Sequence, residues 1–200
     1  MPTGVALRDV RTQLFDAAER VLLRDGAGAL TSRAVTTEAG CAKGVLHRHF
    51  ADFDAFLAEL VLDRVSRISA LASALRASAG TGTAVRHLTD ALTDLFTPAA
   101  VAMVGLITFR DGLRARLRAA GQRGLPILTQ ATAMVVDYLV AERELGRIAP
   151  DADIDTLALT LIGTGHLLFT GGDEGPPDAA AVRKVVTSVV SGVLTGAGPR

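Results

Sequence analysis

The segment from Thr31 to Phe50 constrains the fold most, because its pattern predicts two short helices joined by a tight turn. Thr31 and Ser32 carry hydroxyl groups that can cap the first helix. Gly40 ends this helix, since glycine takes the left-handed conformation of a tight interhelical turn without a Cβ clash. A second helical pattern runs from Ala42 to Phe50. The segment therefore predicts a helix-turn-helix.

The second helix of this segment has an apolar inner side and a basic outer side. Leu46 and Phe50 are four residues apart, so they share one face. The residues left mostly outside are basic: Lys43, His47, Arg48 and His49. A basic helix that follows a tight turn is typical of a helix that reads the DNA major groove.

This segment and its flanks resemble the TetR family of bacterial transcriptional repressors. The residues that match the family signature are Thr31, Arg33, Val35, Ala39, Gly40, Lys43, Gly44, Leu46, His49, Phe50 and Asp54. Four positions depart from it: Cys41, Ala42, His47 and Phe53 stand where the family has Val, Ser, Tyr and Lys. The last three replace groups that touch phosphates in the family.

The resemblance implies an all-α fold with two domains. A three-helix, helix-turn-helix DNA-binding domain is expected over residues 1–52, and a larger helical effector-binding and dimerisation domain over 53–200. It further implies a homodimer that binds palindromic operator DNA, acts as a repressor and is released by a small molecule. The residues expected to bind DNA are Thr31, Ser32, Arg33, Lys43, Gly44, Val45, His47, Arg48 and His49. A solvated helix face is the alternative for Lys43 and Arg48.

Composition favours helices packed by aliphatic side chains, since the 200 residues are 49% hydrophobic with no Trp and one Tyr. Zero formal net charge argues against a general polyanion binder, although residues 1–50 hold seven Lys or Arg against five Asp or Glu. A single cysteine excludes an intrachain disulfide and suits the cytoplasm. No secretory signal or membrane-spanning run is evident, so a cytoplasmic protein is expected.

Apolar periodicity predicts a first helix that braces the helix-turn-helix, followed by a series of longer helices. The predicted ranges are 9–25, 53–78, 83–97, 99–119, 125–145, 154–169 and 179–194. A break is expected at Gly105 or Gly112. The predicted core of the three-helix unit is Leu14, Phe15, Ala18, Leu22, Leu30, Val35, Leu46 and Phe50.

The last two predicted helices, about 154–169 and 179–194, are the most apolar of the chain. Valines cover more than one stripe of the final helix, so each helix is expected to pack on two sides. The family resemblance agrees, since it implies dimerisation through the last two long helices. A wholly intramolecular core is the alternative.

The middle of the chain mixes Met, aromatic and a few polar residues, which fits either helical packing or an adaptable apolar pocket. The resemblance implies an effector cavity here. The residues predicted to line it are Phe96, Met103, Leu106, Phe109, Arg110, Met134, Tyr138, His166 and Phe169. His166 is alternatively a satisfied core or interface residue, whereas His87 is expected to be exposed.

No enzyme motif is evident. Residues 163–168, GTGHLL, lack the third glycine and the preceding strand of a dinucleotide fingerprint. His47 and His49 are two apart on a helix and point in nearly opposite directions, so they cannot share a metal. No cofactor and no metal are expected. The alternatives to a DNA-binding repressor are a TetR-like ligand-binding protein with weak or lost DNA binding and, third, a helical enzyme using the central cavity.

Overall fold

A computed structural model describes residues 4–171 and 175–195 of the chain. Ten α-helices account for most of these residues, and no strand occurs among them beyond a single bridge between Ile148 and Leu194. This confirms the predicted all-α class. The helices are α1 (Gly4–Asp25), α2 (Ser32–Glu38), α3 (Gly44–His49), α4 (Phe53–Ala77), α5 (Ala84–Leu95), α6 (Pro98–Phe109), α7 (Asp111–Ala119), α8 (Pro126–Glu144), α9 (Ile154–Thr170) and α10 (Ala179–Val190).

The chain divides into two compact units that are each discontinuous in sequence. The first contains Met1–Asp63 and Ala102–Leu125, and the second contains Arg64–Val101 and Pro126–Arg200. Helices α4 and α6 run through the boundaries between these ranges. The boundary predicted at residue 52 separates two functions, whereas these units are defined by compactness, so that boundary stays a prediction.

The first unit has the predicted three-helix core. All eight side chains expected in that core are buried: Leu14, Phe15, Ala18, Leu22, Leu30, Val35, Leu46 and Phe50. The rings of Phe50 and Phe56 meet edge to face, with centroids 5.0 Å apart, and Phe15 lies 5.7 Å from Phe56. Aromatic pairs at such distances add to the free energy gained from burying their apolar area. This cluster therefore anchors the start of α4 to the helix-turn-helix.

The break predicted within residues 99–119 falls at Arg110 and at neither glycine. Gly105 lies inside α6, and Gly112 lies in the first turn of α7. Arg110 has extended backbone, with φ −119° and ψ 99°. Its Nε bonds Oδ1 of Asp54 over 2.5 Å, and its guanidinium lies over the Phe53 ring. The helix therefore breaks at Arg110, which is held by an ion pair with a residue far away in the sequence. The local sequence pattern does not reveal this ion pair.

The last helix of the second unit is shorter than predicted. It ends at Val190, because Ala149 donates a backbone hydrogen bond to Val193 and residue 194 bridges to Ile148. Val182, Val186 and Val190, each four residues apart, are buried along one side. The exposed side is polar: Arg183, Lys184, Thr187 and Ser188. Val185 and Val189 are half-buried beside this stripe, so the expectation that α10 packs on two sides stays a prediction.

No single helix among the described residues is both long and apolar enough to cross a membrane. The bent pair α5 and α6 meets that measure only when its two helices are counted together.

Candidate nucleic-acid interface and effector region

One of the two hydroxyl groups predicted to cap α2 does so. Thr31 Oγ1 accepts a hydrogen bond from the Ala34 amide over 3.1 Å. Ser32 does not share this role, since its Oγ is buried and has no partner among the described residues. Thr31 and Arg33 are exposed beside it. The start of α2 therefore exposes the guanidinium of Arg33 and the hydroxyl of Thr31, and both groups can donate to a phosphate.

A shallow cavity of about 330 Å³ runs along the exposed side of α2. Thr37 lines it together with Thr31 and Arg33. Thr37 and Arg33 are four residues apart, so both project from one side of the helix. Thr37 is not among the residues predicted to bind DNA, although it lies on the same side of α2 as Arg33.

Side chains from α1 hold α2 in place. Arg20 and Arg24 donate to the two oxygens of Glu38 over 2.7 and 2.8 Å, and Gln13 donates to the Ala39 carbonyl. These hydrogen bonds, from Arg24 first and Arg20 second, lower the pKa of the Glu38 carboxyl. Arg20 and Arg24 are thus paired within the protein, whereas Arg33, Lys43 and Arg48 form no ion pair among the described residues.

Helix α3 separates its apolar and basic sides as predicted. Leu46 and Phe50 are buried, whereas Lys43, His47 and Arg48 are exposed. The turn before it contains Gly40 in the left-handed conformation, at φ 65°. The remaining predicted DNA residues lie along the same short helix: Gly44 is exposed, and Val45 and His49 are half-buried.

Gly44 leaves open space at the start of α3, because a Cβ placed there meets no atom within 4 Å. Nothing inside the protein therefore requires glycine at this position.

The residues directly after α3 form a clamp with the segment around α7, all within the first unit. Asp52 Oδ1 caps α4 by accepting from the Ala55 amide over 2.7 Å, while its Oδ2 pairs with Arg116. Asp54 pairs with Arg110, which sequence analysis assigned to the effector cavity. We call this group, Asp52, Asp54, Arg110 and Arg116, the α4 clamp. The local sequence pattern indicates neither arginine partner.

The other predicted cavity residues of the first unit have unlike environments. Met103 and Leu106 are buried core residues of α6. The Phe109 side chain is 87% exposed. Within its unit, Phe109 is therefore not part of an apolar core.

Three predicted cavity residues come together in the second unit. The Phe96 ring lies 6.0 Å from the His166 ring and 5.4 Å from the Phe169 ring. Gly165 allows this approach, because a Cβ there would lie 2.8 Å from the edge of Phe96. His166 is not a satisfied core residue, since its Nδ1 is buried without a hydrogen-bond partner among the described residues. Burial lowers the pKa of its imidazole.

The last two predicted residues, Met134 and Tyr138, are buried one turn apart on α8. The Tyr138 hydroxyl lies 3.1 Å from Nδ1 of His87 and donates to Glu142 over 2.6 Å. Glu142 is fully buried and pairs with Arg147, whose Nε lies 3.1 Å from Oε2. The expectation that His87 is exposed is wrong, because its polar partner is supplied by a distant helix.

A family model for bacterial regulatory proteins of the tetR family matches residues 14–60. No curated protein matches the chain. The fold is similar to that of a solved structure described as a TetR-family transcriptional regulator from Mesorhizobium loti MAFF303099, with 18% identity, 96% of each chain covered and a TM-score of 0.67.

Two further solved structures are similar over nearly the whole chain. One is a gamma-butyrolactone receptor (ArpA-like protein), with 20% identity, 92% of this chain and 97% of that chain covered, and a TM-score of 0.54. The other is the multidrug binding protein EbrR complexed with imidazole, with 20% identity, 90% and 94% covered, and a TM-score of 0.55. The family model thus covers the helix-turn-helix, and the fold of nearly the whole chain is similar to that of solved structures described as TetR-family transcriptional regulators.

Proposed function

We propose that the protein is a bacterial repressor that binds palindromic operator DNA as a homodimer in the cytoplasm and is released by a small, mostly apolar effector. The observation that carries this proposal is the exposed basic side of α3, which stands on buried Leu46 and Phe50. Lys43 can donate to guanine O6 or N7, and Val45 can contact a thymine methyl. Arg48 and the Thr31 region supply donors for the phosphate backbone.

The proposed dimer uses an apolar stripe on α9. Leu159 is 66% exposed and Leu167 is 70% exposed, with exposed Gly163 between them at the same helical spacing. Large apolar side chains aligned on one exposed face mark an interaction surface. A second copy of the chain, meeting this stripe and the small polar side of α10, would cover both leucines and form a symmetric interface.

The proposed effector region is the cluster of Phe96, His166 and Phe169. Its rings offer apolar contact area, and the unpartnered Nδ1 of His166 offers one polar contact. The solved relatives named for multidrug or gamma-butyrolactone binding support a small-molecule site in this fold. We therefore favour an effector with an apolar body and a single hydrogen-bonding group.

Helix α4 supplies the proposed link between effector and DNA, since it runs unbroken from Phe53 to Ala77 and belongs to both units. A ligand releases DNA only to the extent that it prefers the non-binding arrangement, typically about 1–3 kcal/mol. By reciprocity, DNA must weaken ligand binding by the same factor.

Selection of binding sites from random duplexes at moderate salt tests the DNA-binding proposal. Enrichment of a palindrome with half-sites about 34–36 Å apart supports it. Failure to enrich any sequence favours the second candidate, a ligand-binding protein that has lost tight DNA binding. That candidate is favoured by Ala42, His47 and Phe53, which replace residues that touch phosphates in the family.

Titration of a tight apolar ligand with and without the selected duplex tests induction separately. Weaker ligand binding in the presence of DNA supports release by that compound. Equal affinity in both titrations excludes it as an inducer.

A further inference from the structure

Two carboxylates lie directly after the helix proposed to read DNA. Asp52 and Asp54 follow closely on His49, the last residue of α3, and both side chains are partly exposed. Consecutive Cα atoms are about 3.8 Å apart, so the Cα atom of Asp52 lies within about 11 Å of the Cα atom of His49. Two negative charges at this place would oppose the approach of a phosphate backbone.

In the proposed complex with DNA, backbone phosphates would come close to both carboxylates. A reading helix contacts base edges with its N-terminal residues, so its C-terminal end leaves the groove beside the backbone. The major groove is about 12 Å wide, and the Debye length is about 10 Å at 0.1 M salt. Bare carboxylates at Asp52 and Asp54 would therefore repel the backbone over a distance that salt screens only in part.

The carboxylates are not bare, because each has an arginine partner in the α4 clamp. Oδ2 of Asp52 pairs with Arg116, and Oδ1 of Asp54 accepts from Nε of Arg110 over 2.5 Å. Both arginines belong to the same unit as α3. The two positive and two negative side chains leave this surface without net charge.

The first turn of α7 adds to the screening of Asp54. A Cβ atom at Gly112 would overlap the Asp54 carboxylate, so the carboxylate lies directly against the backbone of this turn. Unpaired amides at the start of a helix favour a negative charge. Asp52 has no such support, since Arg116 is its only ion-pair partner among the described residues. The charge of Asp52 is therefore the more sensitive to loss of its arginine.

We propose that Arg110 and Arg116 screen Asp52 and Asp54 from the phosphate backbone, and that the protein needs this screen to bind duplex DNA tightly. The two arginines act through the carboxylates and do not contact DNA themselves. The proposal rests on the proposed DNA binding by α3. It makes the joint between α6 and α7, far from the helix-turn-helix in sequence, a determinant of DNA affinity.

The direct test is the affinity of full-length Arg116→Gln for a labelled duplex selected from random sequences, measured by fluorescence anisotropy at two salt concentrations. At about 50 mM salt the affinity should fall at least about fivefold, because the Asp52 carboxylate then faces the backbone unpaired. At about 300 mM salt the loss should be less than about twofold, since salt screens the repulsion. Arg116→Lys keeps the positive charge and should bind like the unaltered protein. An equal loss at both salt concentrations would overturn the proposal.

Asp52→Asn distinguishes a screen from a direct contact. Asparagine removes the charge but keeps a side-chain oxygen that can accept from the Ala55 amide and cap α4. Asp52→Asn alone should bind DNA at least as tightly as the unaltered protein. In its background Arg116→Gln should cost less than about twofold at low salt. A loss that persists in this background would show that Arg116 contacts DNA or only supports the fold, and either result would overturn the screen.

Arg118→Gln is the matched control, since Arg118 is exposed on the same helix and forms no ion pair among the described residues. It removes one positive charge without exposing a carboxylate, so affinity should change less than about twofold. A loss equal to that of Arg116→Gln would show a general effect of net charge and overturn the proposal. Unchanged affinity in Arg116→Gln would overturn the screen alone, whereas no duplex binding by the unaltered protein would overturn both the screen and the proposed function.

Discussion

The Tyr138 hydroxyl donates to Oε1 of Glu142 over 2.6 Å, one turn away on α8. Burial and then this hydrogen bond raise the pKa of the Tyr138 hydroxyl, so the proton stays on the tyrosine. Arg147 pairs with the other carboxylate oxygen and also donates to the carbonyls of Thr81 and Gly82. One buried carboxylate thus connects α8 to the turn before α5.

Tyr138→Phe should destabilise the protein by about 1–3 kcal/mol, because it leaves a buried carboxylate oxygen and the His87 Nδ1 without their partner. Urea unfolding at fixed protein concentration measures the loss. The same substitution should cost less in a Glu142→Gln background, since a neutral acceptor is less costly to strand than a charged one. A loss below about 0.5 kcal/mol in the unaltered background would show that the network adds little stability.

Lys43→Ala and Arg33→Ala should each weaken binding to a selected operator by about 1–3 kcal/mol and relax base preference. Arg48→Ala should weaken all sequences alike and reduce the salt slope by about 1, as expected for a phosphate contact. Fluorescence anisotropy over a range of salt concentrations distinguishes the two behaviours. Arg183→Ala on α10 is the control that should leave both properties unchanged. Unchanged base preference for Lys43→Ala would place that residue on a solvated face.

Leu159→Arg or Leu167→Arg should convert the proposed dimer into a monomer, because each would place an unpaired charge within the interface. Sedimentation velocity measures the change. Leu145→Arg replaces another exposed leucine, outside α9, and should leave the dimer intact. Val190 is unsuitable for this test, since it is buried within the protomer and its substitution would affect folding. A dimer that persists in both α9 variants would exclude this interface.

His166 should make the protein less stable as the solution becomes acidic. Burial lowers its folded-state pKa below the ordinary value of 6.5, so the unfolded chain binds more protons in this range. Its contribution to stability is complete above about pH 6.5 and is lost as the pH falls through the folded-state pKa. Unfolding free energies between pH 8 and pH 5 should therefore fall less steeply for His166→Phe. Identical pH slopes would show that the imidazole is not protected from protonation.

The helix-turn-helix was predictable because its determinants are local. The spacing of Leu46 and Phe50 indicates their shared face, and Gly40 marks the turn with its positive φ. The Thr31 cap also depends only on residues within one turn. Short-range periodicity and capping chemistry suffice for such a segment.

Contacts between distant parts of the chain were not predictable from periodicity. His87 is buried, and its Nδ1 lies within hydrogen-bonding distance of the hydroxyl of Tyr138, 51 residues away. The end of α10 depends in the same way on backbone pairing of residues 193–195 with residues 147–149. The arginines of the α4 clamp lie 56 and 64 residues from their carboxylate partners.

The α4 clamp limits which segments of this chain can be exchanged for those of a protein with the same fold. Recombination at residue 52 would join helices α1 to α3 of one protein to residues 102–125 of another. The carboxylates of Asp52 and Asp54 would then lose the arginines that neutralise them. A chimaera that keeps these ion pairs must therefore carry both stretches of the first unit, which requires two crossovers flanking residues 102–125 in addition to the one near residue 63.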